Sequence, residues 1–560
     1  MTGPTAPKDP EKARPFFYIL KDKDIFGERQ KDGTGIQFIY ESDGRLINSA
    51  QITGNVTDKE ELRLLETVEG FGRLVHSIGV SVETDRPEET AEFVFQMYGK
   101  KDLYGGGTNL TTSLKCDGME HRIYLSDYRW TEDDHVPGQI KILFAAPERM
   151  GKVSVRLFLN DGYEAPPEEE DLVIDMHSEE YCGMISRSLL QLGNPYRIRK
   201  AIEKSKAGKE VTLAYIGGSI TQGAGAIPIH TECYAYKSFQ LFQNRFSTQN
   251  NVRFIKAGVG GTPSELGMIR FDRDVLREGE RPDIVVIEFA VNDEGDETKG
   301  VCYESLVRKV LKLPWKPAVV LLFSVFANDW NLQERLRPVG DLYDLPMVSI
   351  RDAVTQQFSL KCGEGRILSK NQFFYDIFHP NNTGHTIMAD CLQYLFERCD
   401  AAEPARVGTF VEGMTEEQIL SEKLSGPAVI GADFERIFLL DKKNRYVGAK
   451  IRAGSFTSTD IELQSVEMDG NLTQTPEFPY NWMYDGSRPQ MPGFEMEITC
   501  KSLFLIFKDS GEMDVGKANV FVNDVYCMTA DPHKNNWLHC NAVLLFWETE
   551  SRSHKVRIAV

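Results

Sequence analysis

The chain has 560 residues, of which 41% are hydrophobic and 26% charged, and a formal net charge of −19. That composition is ordinary for a globular protein, and the length is too great for a single core, giving a prior of about three domains. The acidic balance argues against nucleic acid or an anionic membrane surface as partner, because phosphate contacts need clustered Lys and Arg, and it favours a neutral substrate over an acidic one.

The chain opens on "MTGPTAPKDPEKARPFFYIL". Its apolar run, "FFYIL", is shorter than the core of a secretory signal, and no small-residue cleavage site follows it. No stretch approaches the ~18 apolar residues of a membrane span. The ten cysteines are scattered without a CxxC pair, several in apolar surroundings such as "MADCLQYLF" and "MEITCKSLF". They read as free thiols rather than disulfides or zinc ligands. The expected location is therefore the cytoplasm.

From about residue 35 to 190 the chain reads as short strands separated by turn residues. "AEFVFQMYG", "HRIYLSDYRW", "GQIKILFAA" and "KVSVRLFLN" carry period-two or continuous apolar runs broken by Gly, Asp and Pro. That pattern predicts an antiparallel sandwich. "APPEEEDLVI", Ala165 to Ile174, reads as a connecting loop.

From Asn194 to Asp400 strands alternate with helices. "VTLAYIGG", "VRFIKAGVG", "DIVVIEFAV", "AVVLLFSVF" and "MVSIRDAV" are apolar nearly throughout, as strands buried on both faces must be. "SELGMIRFDRDVL" and "YESLVRKVLKL" read as intervening helices. The alternation predicts a parallel sheet with helices on both sides and a site beyond the carboxyl ends of its strands. After a linker at "AAEPARVG", Ala401 to Gly408, and a short helix in "MTEEQILSEKL", strands return: "RIFLLD", "GAKIRAGSF", "DIELQSVEM", "SLFLIFKD", "ANVFVNDV", "AVLLFWE" and "HKVRIAV". The expected fold class is α/β: a β-sandwich-like unit over 1–193, a three-layer catalytic unit over 194–402, and a β-rich, sandwich- or jelly-roll-like unit over 403–560.

The chemistry stands just past the strands of the middle zone. The first strand runs into "GGSIT" with Ser219, the second into "AGVGGTPSE" with Gly261, and the third into "AVNDEGD" with Asn292. The chain later returns "YDIFHP", with Asp376 and His379 three residues apart. These are the parts that acyl transfer needs. Ser219 can attack a carbonyl carbon, His379 can take its proton, and Asp376 can hold the imidazole. The amides of Ser219 and Gly261 and the carboxamide of Asn292 can stabilise an oxyanion. A lone "GGS" would be read as a turn serine; the three other blocks reverse that reading. His385 and Asp293 read as structural. His230, Glu232 and Tyr234 in "IPIHTECYAY" and Trp330 in "FSVFANDWNLQERL" are candidates for the mouth of the site, with plain solvation or packing as the alternative. The elbow G-x-S-x-G is absent, since Thr221 stands two after Ser219. No phosphate loop, dinucleotide fingerprint or zinc spacing is present.

This constellation resembles the SGNH, or GDSL-type, hydrolases. Gly218 stands where that family often has the Asp of Gly-Asp-Ser, and Ala290 replaces the first glycine of Gly-x-Asn-Asp, while "DIFHP" is intact. The resemblance is confined to the middle zone. It implies a flavodoxin-like sheet of about five strands and ester hydrolysis by Ser219, His379 and Asp376 without metal or cofactor. Such a domain flanked by β-sandwich zones is similar to carbohydrate acetylesterases, and the loops after Ser219 and Asn292 are polar. The expected reaction is removal of O-acetyl groups from a plant-type oligosaccharide or polysaccharide. The alternatives are an esterase, lipase or thioesterase acting on another acyl group, and a carbohydrate-binding protein with a vestigial hydrolase domain. The oligomeric state, a homo-oligomer included, is left open.

Overall fold

A computed structural model describes residues 12–40, 45–102, 104–168, 170–277, 279–402, 414–469, 474–510, 512, 514–535 and 537–560. The first part of the chain folds into two antiparallel sheets. One runs in the order Phe16–Phe26, Met150–Leu159, Val75–Thr84, His121–Tyr124; the other runs Glu28–Arg29, Gly35–Tyr40, Asp134–Phe144, Thr90–Gly99, Asn109–Lys115. Alternate side chains point inward, as the period of two requires. Val153, Val155 and Leu157 from the first sheet thus meet Phe93, Phe95, Ile140 and Ile142 from the second in one core.

The sandwich begins earlier than the sequence pattern suggested, at Phe16, and it contains three short helices that the pattern did not reveal, Arg45–Ile52, Lys59–Leu64 and Val68–Leu74. Two of these carry legible starts. The side chains of Asp58 and Thr67 accept hydrogen bonds from first-turn amides that would otherwise lack acceptors. "HRIYLSDYRW" is a strand only over His121–Tyr124 and then tightens into a single turn at Leu125–Asp127.

The central sheet has six strands. Five are parallel: Val211–Gly217, Val252–Gly258, Ile284–Glu288, Ala318–Phe323 and Met347–Ser349. Numbered along the chain they lie in the order 2-1-3-4-5, the flavodoxin-like arrangement. A short antiparallel strand, Leu189–Gln191, is added at the Met347–Ser349 edge. Separate apolar clusters fill the two faces. Helices Tyr234–Phe246 and Asn382–Ala401 cover one, and Val301–Leu311 and Gln333–Tyr343 cover the other. Strand order reverses at Val211–Gly217, so the crevice at its carboxyl end is the place where such sheets bind ligands.

The last part forms a five-stranded antiparallel sheet, Ala449–Arg452, Phe494–Asp509, His539–Ala559, Ala518–Val522, Val525–Ala530, and a two-stranded ribbon, Ser465–Glu467 with Gln474–Pro476. "AVLLFWE" and "HKVRIAV", read as two strands, are one long strand, and "RIFLLD" joins no sheet. The helix Glu416–Ser425 stands where "MTEEQILSEKL" placed it. The linker read at 401–408 lies, from 403 onward, outside the described residues. This unit is not a free appendage. Ile506 and Ala542 pack on Leu266 and Ile269 of the helix Ser264–Phe271 in a shared apolar cluster around Cys540.

All ten cysteines carry free thiols, six of them buried. Among the described residues no helix is long and apolar enough to cross a membrane.

Candidate active site

The strand Val211–Gly217 ends where its chain must turn under its neighbours. A side chain at Gly217 would strike Thr221 and the Glu288 carbonyl, so the last residue of the strand must be glycine, and Ser219 begins a one-turn helix to Gln222. Arg270, buried at 1% exposure, ties the ends of the first two parallel strands together by donating to the carbonyls of Gly217 and Ala257 and pairing with Asp274. Beneath the turn, Thr221 Oγ1 donates to Glu288 and meets the Tyr234 hydroxyl at 2.8 Å. Burial pushes the Glu288 carboxyl up to about 7, because the charged form loses water and the Thr221 hydroxyl and the nearby His379 ring offset only part of that loss.

His379 Nε2 lies 2.9 Å from Ser219 Oγ, and His379 Nδ1 lies 2.9 Å from Asp376 Oδ2. The three-residue spacing of Asp376 and His379 has a local cause. Asp376 Oδ1 accepts from the backbone amides of Phe378 and His379, which closes a tight turn and leaves Oδ2 free to face the imidazole. Burial alone would raise the Asp376 carboxyl; the His379 ring and these two amides outweigh it and hold the group at about 2. Gly225, at φ +86°, lets the loop after the serine press against His379 and Pro380, where a side chain would collide.

Two further loops meet Ser219. The Asn292 carboxamide lies against Gly218. Gly260 faces Ser219 and Gln222, and Gly261 follows at φ +69°, in the left-handed region where glycine is unstrained. No described residue accepts a hydrogen bond from the amides of Ser219 or Gly261, and the buried Asn292 Oδ1 is likewise without a partner. Asp293 is buried and accepts from the Ser264 amide, binding the Asn292 loop to the helix that follows Gly261. Burial and the nearby Asp296 raise its carboxyl to about 8. His385 is structural, as the sequence suggested. It is buried between the Tyr234 amide and the Ala224 carbonyl, and burial drives its pKa down to about 3.

The mouth residues divide. Trp330 stacks on Phe326, with ring centroids 5.7 Å apart. Phe326 meets Phe378 edge-on at 5.0 Å, and Phe378 adjoins His379. His230, on Ile229–Glu232, makes no hydrogen bond to Ser219, His379 or Asp376; burial and Lys256 lower its pKa. Tyr234 is fully buried and Glu232 is paired with Lys237, so of "IPIHTECYAY" the tyrosine belongs to the core.

Both flanking β units reach the site, and the sequence carried no motif for this. From the N-terminal sandwich the buried Lys23 donates to the carbonyl of Phe374, just before Asp376, and Thr53 donates to Asn371. From the C-terminal unit Gln464 and His539 donate to the carbonyls of Gly260 and Gly261, and Trp537, 48% exposed, lies over Gly261. These residues stand more than 190 positions from the loops they hold, in segments such as "NNWLHC" that show no pattern in one dimension.

Residues 215–387 match the model of the GDSL-like lipase/acylhydrolase family. The chain carries a GDSL-like acylhydrolase domain. It is a carboxylic ester hydrolase, and the match contains Ser219, Gly261, Asn292, Asp376 and His379. No curated protein matches the chain. Among solved structures, a two-domain esterase active on acetylated mannans is similar at 23% identity and a TM-score of 0.53, over 67% of this chain and 93% of that one. The same esterase crystallised with mannopentaose gives 23% identity and 0.52 over the same shares. An acetylxylan esterase from Geobacillus stearothermophilus, in a catalytic mutant form, is 18% identical over 34% of this chain and 95% of that one, with a TM-score of 0.27. At 23% identity the likeness to the mannan-active esterase is one of fold. Among the described residues no group of three or more His, Cys, Asp or Glu is arranged to hold a metal ion.

Proposed function

We propose that this protein is a serine esterase that removes O-acetyl groups from a carbohydrate, with Ser219 as nucleophile, His379 as general base and acid, and Asp376 as the group that orients His379. The observation that carries the reading is the continuous relay from Ser219 Oγ through His379 to Asp376, with both contacts at 2.9 Å. In the first half-reaction Ser219 Oγ attacks the acetyl carbon as its proton passes to His379 Nε2. The imidazolium that forms is stabilised by Asp376, whose carboxyl is ionised at any pH well above 2. The oxyanion is met by the amides of Ser219 and Gly261 and the carboxamide of Asn292. Collapse of the tetrahedral species breaks the bond to the sugar oxygen, which leaves with the proton held by His379. Water then attacks the acetyl-serine by the same steps in reverse, releasing acetate and restoring the serine.

The carbohydrate part of the reading draws on two supports. Two thirds of the chain shares its fold with an esterase active on acetylated mannans. The rings of Trp330, Phe326 and Phe378 run in contact up to His379, and Trp537 lies over Gly261; Phe378 and Trp537 are exposed, and exposed flat apolar faces pack against a neutral sugar. A mannan-type acetyl ester is the first substrate to test. The three-unit organisation is part of the same proposal. The sandwich and the C-terminal unit brace the catalytic unit, and the first boundary falls before the helix Glu179–Ser186, because the following strand Leu189–Gln191 belongs to the central sheet.

The test is acetate release from acetylated manno-, xylo- and gluco-oligosaccharides, beside p-nitrophenyl acetate and butyrate. Preference for acetyl esters and turnover of at least one glycan series are expected. Turnover of long-chain esters alone would move the protein to a lipase-like activity, and no turnover at all would leave a carbohydrate-binding role.

A further inference from the structure

The glycine loop Gly258–Gly261 is the weakest-looking part of the site. Val259 anchors its middle, with a buried side chain, an amide that donates to the Gly217 carbonyl and a carbonyl that accepts from Thr262, but Gly260 and Gly261 bring no side chain, and Gly261 occupies the left-handed region. Yet an oxyanion donor is useful only if it is already aimed before the charge develops. What aims it comes from elsewhere in the chain.

Gln464, in the segment just before the ribbon strand Ser465–Glu467, is 7% exposed. Its Oε1 accepts from the Cys540 amide at 3.0 Å, which fixes the orientation of the carboxamide, and its Nε2 donates to the Gly260 carbonyl at 3.0 Å. Its own carbonyl accepts from the Glu477 amide at 2.8 Å, so its backbone is held as well. One residue further along the glycine loop, His539 Nε2 lies 3.0 Å from the Gly261 carbonyl. Two successive carbonyls of the loop are thus gripped from the C-terminal unit.

The first grip matters for chemistry because of peptide planarity. The Gly260 carbonyl and the Gly261 N–H belong to one trans peptide and point in opposite directions. A donor pulling on that carbonyl from the C-terminal side turns the N–H to the opposite side of the loop, and the loop abuts the serine, since a β-carbon on Gly260 would stand 3.9 Å from Ser219 Cβ. Drawing electron density onto the carbonyl oxygen also polarises the same N–H and makes it a stronger donor.

We propose that Gln464 is a positioning residue for ester hydrolysis: by donating to the Gly260 carbonyl it aims and polarises the Gly261 amide that stabilises the oxyanion. The C-terminal unit thereby takes part in the chemical step without touching the reacting atoms. This rests on the reading of Ser219 and Gly261 given above.

The experiment uses the full-length chain and p-nitrophenyl acetate, a substrate too small to report on glycan contacts. Gln464→Met removes the donor, and Gln464→Glu keeps the shape and the bond from Cys540 but sets a carboxylate oxygen against the Gly260 carbonyl. Both are expected to lower kcat about 10- to 100-fold with KM within about twofold, a part of the 10²–10³ lost with a whole oxyanion donor. For Gln464→Glu the ratio of variant to wild-type kcat should rise as pH falls from 8.5 to 5.5, since protonation restores a donor at that position. A purely structural role for Gln464 would shift the melting temperature and not produce this pH-dependent ratio. Wild-type kcat in either variant, or a loss confined to KM, overturns the proposal. If Gln464→Met does not fold, the isosteric glutamate variant decides. Ser219→Ala is run in parallel. Loss of turnover there with unchanged Gln464 variants sinks this inference alone, whereas persisting turnover in Ser219→Ala sinks the catalytic reading itself.

Discussion

Gly218 lies directly beneath the Asn292 carboxamide: a β-carbon on Gly218 would stand 2.3 to 2.7 Å from the amide's carbon, oxygen and nitrogen. With Asn292 in this position, the backbone at 218 has no room for a side chain. The chain leaves out the side chain at 218 and fills the space with the side chain from 292. Gly218→Ala should therefore push Asn292 aside and lower kcat about 10²- to 10³-fold, the loss expected for one oxyanion donor. Steady-state kinetics on p-nitrophenyl acetate provide the check, and an alanine variant with wild-type kcat would remove Asn292 from the oxyanion site.

The relay residues should differ in severity. Ser219→Ala is expected to abolish hydrolysis with the melting temperature nearly unchanged, and His379→Ala to be almost as damaging. Asp376→Ala should be milder, about 10- to 1000-fold, because an orienting group contributes less than the base it holds. Acetate release from a single acetylated oligosaccharide, measured for all three variants, gives the ranking; a harmless Ser219→Ala would end the nucleophile assignment.

Buried carboxyls make stability pH-dependent in a predictable direction. Glu288 has a folded pKa of about 7, above the ordinary carboxyl value of ~4.3. Between these values the unfolded chain is ionised while the native one keeps its proton. Stability therefore falls as pH rises through this window, by up to about 1.4 kcal/mol per pH unit, and the slope from this group ends above about 7. Glu288→Gln should flatten that part of the curve and raise stability at pH 8. Asp376 has the opposite sign. Its folded value of about 2 gives stability that is present above the ordinary ~3.9 and lost as pH falls toward 2. Urea midpoints at intervals from pH 4 to 9 test the first claim, and an unchanged slope in Glu288→Gln would contradict it.

Arg270 should be a structural keystone of the site. Arg270→Met leaves the carbonyls of Gly217 and Ala257 without that donor and removes one of the two arginines paired with the buried Asp274. Breaking a buried pair from one side costs about 3–5 kcal/mol. Chemical denaturation should report a loss in that range, and a change below about 1 kcal/mol, ordinary for a surface substitution, would refute it.

Trp537 offers a substrate test. Its ring lies over Gly261 and is half exposed. Trp537→Ala should raise KM for acetylated oligosaccharides about tenfold, equivalent to ~1.4 kcal/mol of lost sugar packing, while KM for p-nitrophenyl acetate changes little. Equal effects on both substrates would place Trp537 outside any glycan subsite.

Much of the catalytic unit could be read in one dimension. Strands buried on both faces must be apolar throughout, so "VTLAYIGG" and "DIVVIEFAV" announce a parallel sheet, and a parallel sheet delivers whatever follows each strand to one edge. That is why Ser219, Gly261 and Asn292 could be named from the residues after three strands. Asp376 and His379 were legible for a different reason: their interaction is local, with the aspartate capping the very turn that carries the histidine. The helices at 45–52, 59–64 and 68–74 were harder to read because short elements take most of their stability from packing that the chain alone does not display.

The meeting of Ser219 with His379 across 160 residues, the pressing of Asn292 into the space at Gly218, and the grip of Gln464, His539 and Lys23 on loops far away in the chain were decided only by the tertiary structure. Local pattern records which face of a strand or helix is apolar and where a turn is capped. It holds no record of which distant donor satisfies a given carbonyl, because that choice is made by the packing of whole units against one another. The sequence by itself determined the order of the chemical groups and the sheet edge that gathers them; the folded chain determined their distances, and with them the aim of each hydrogen bond.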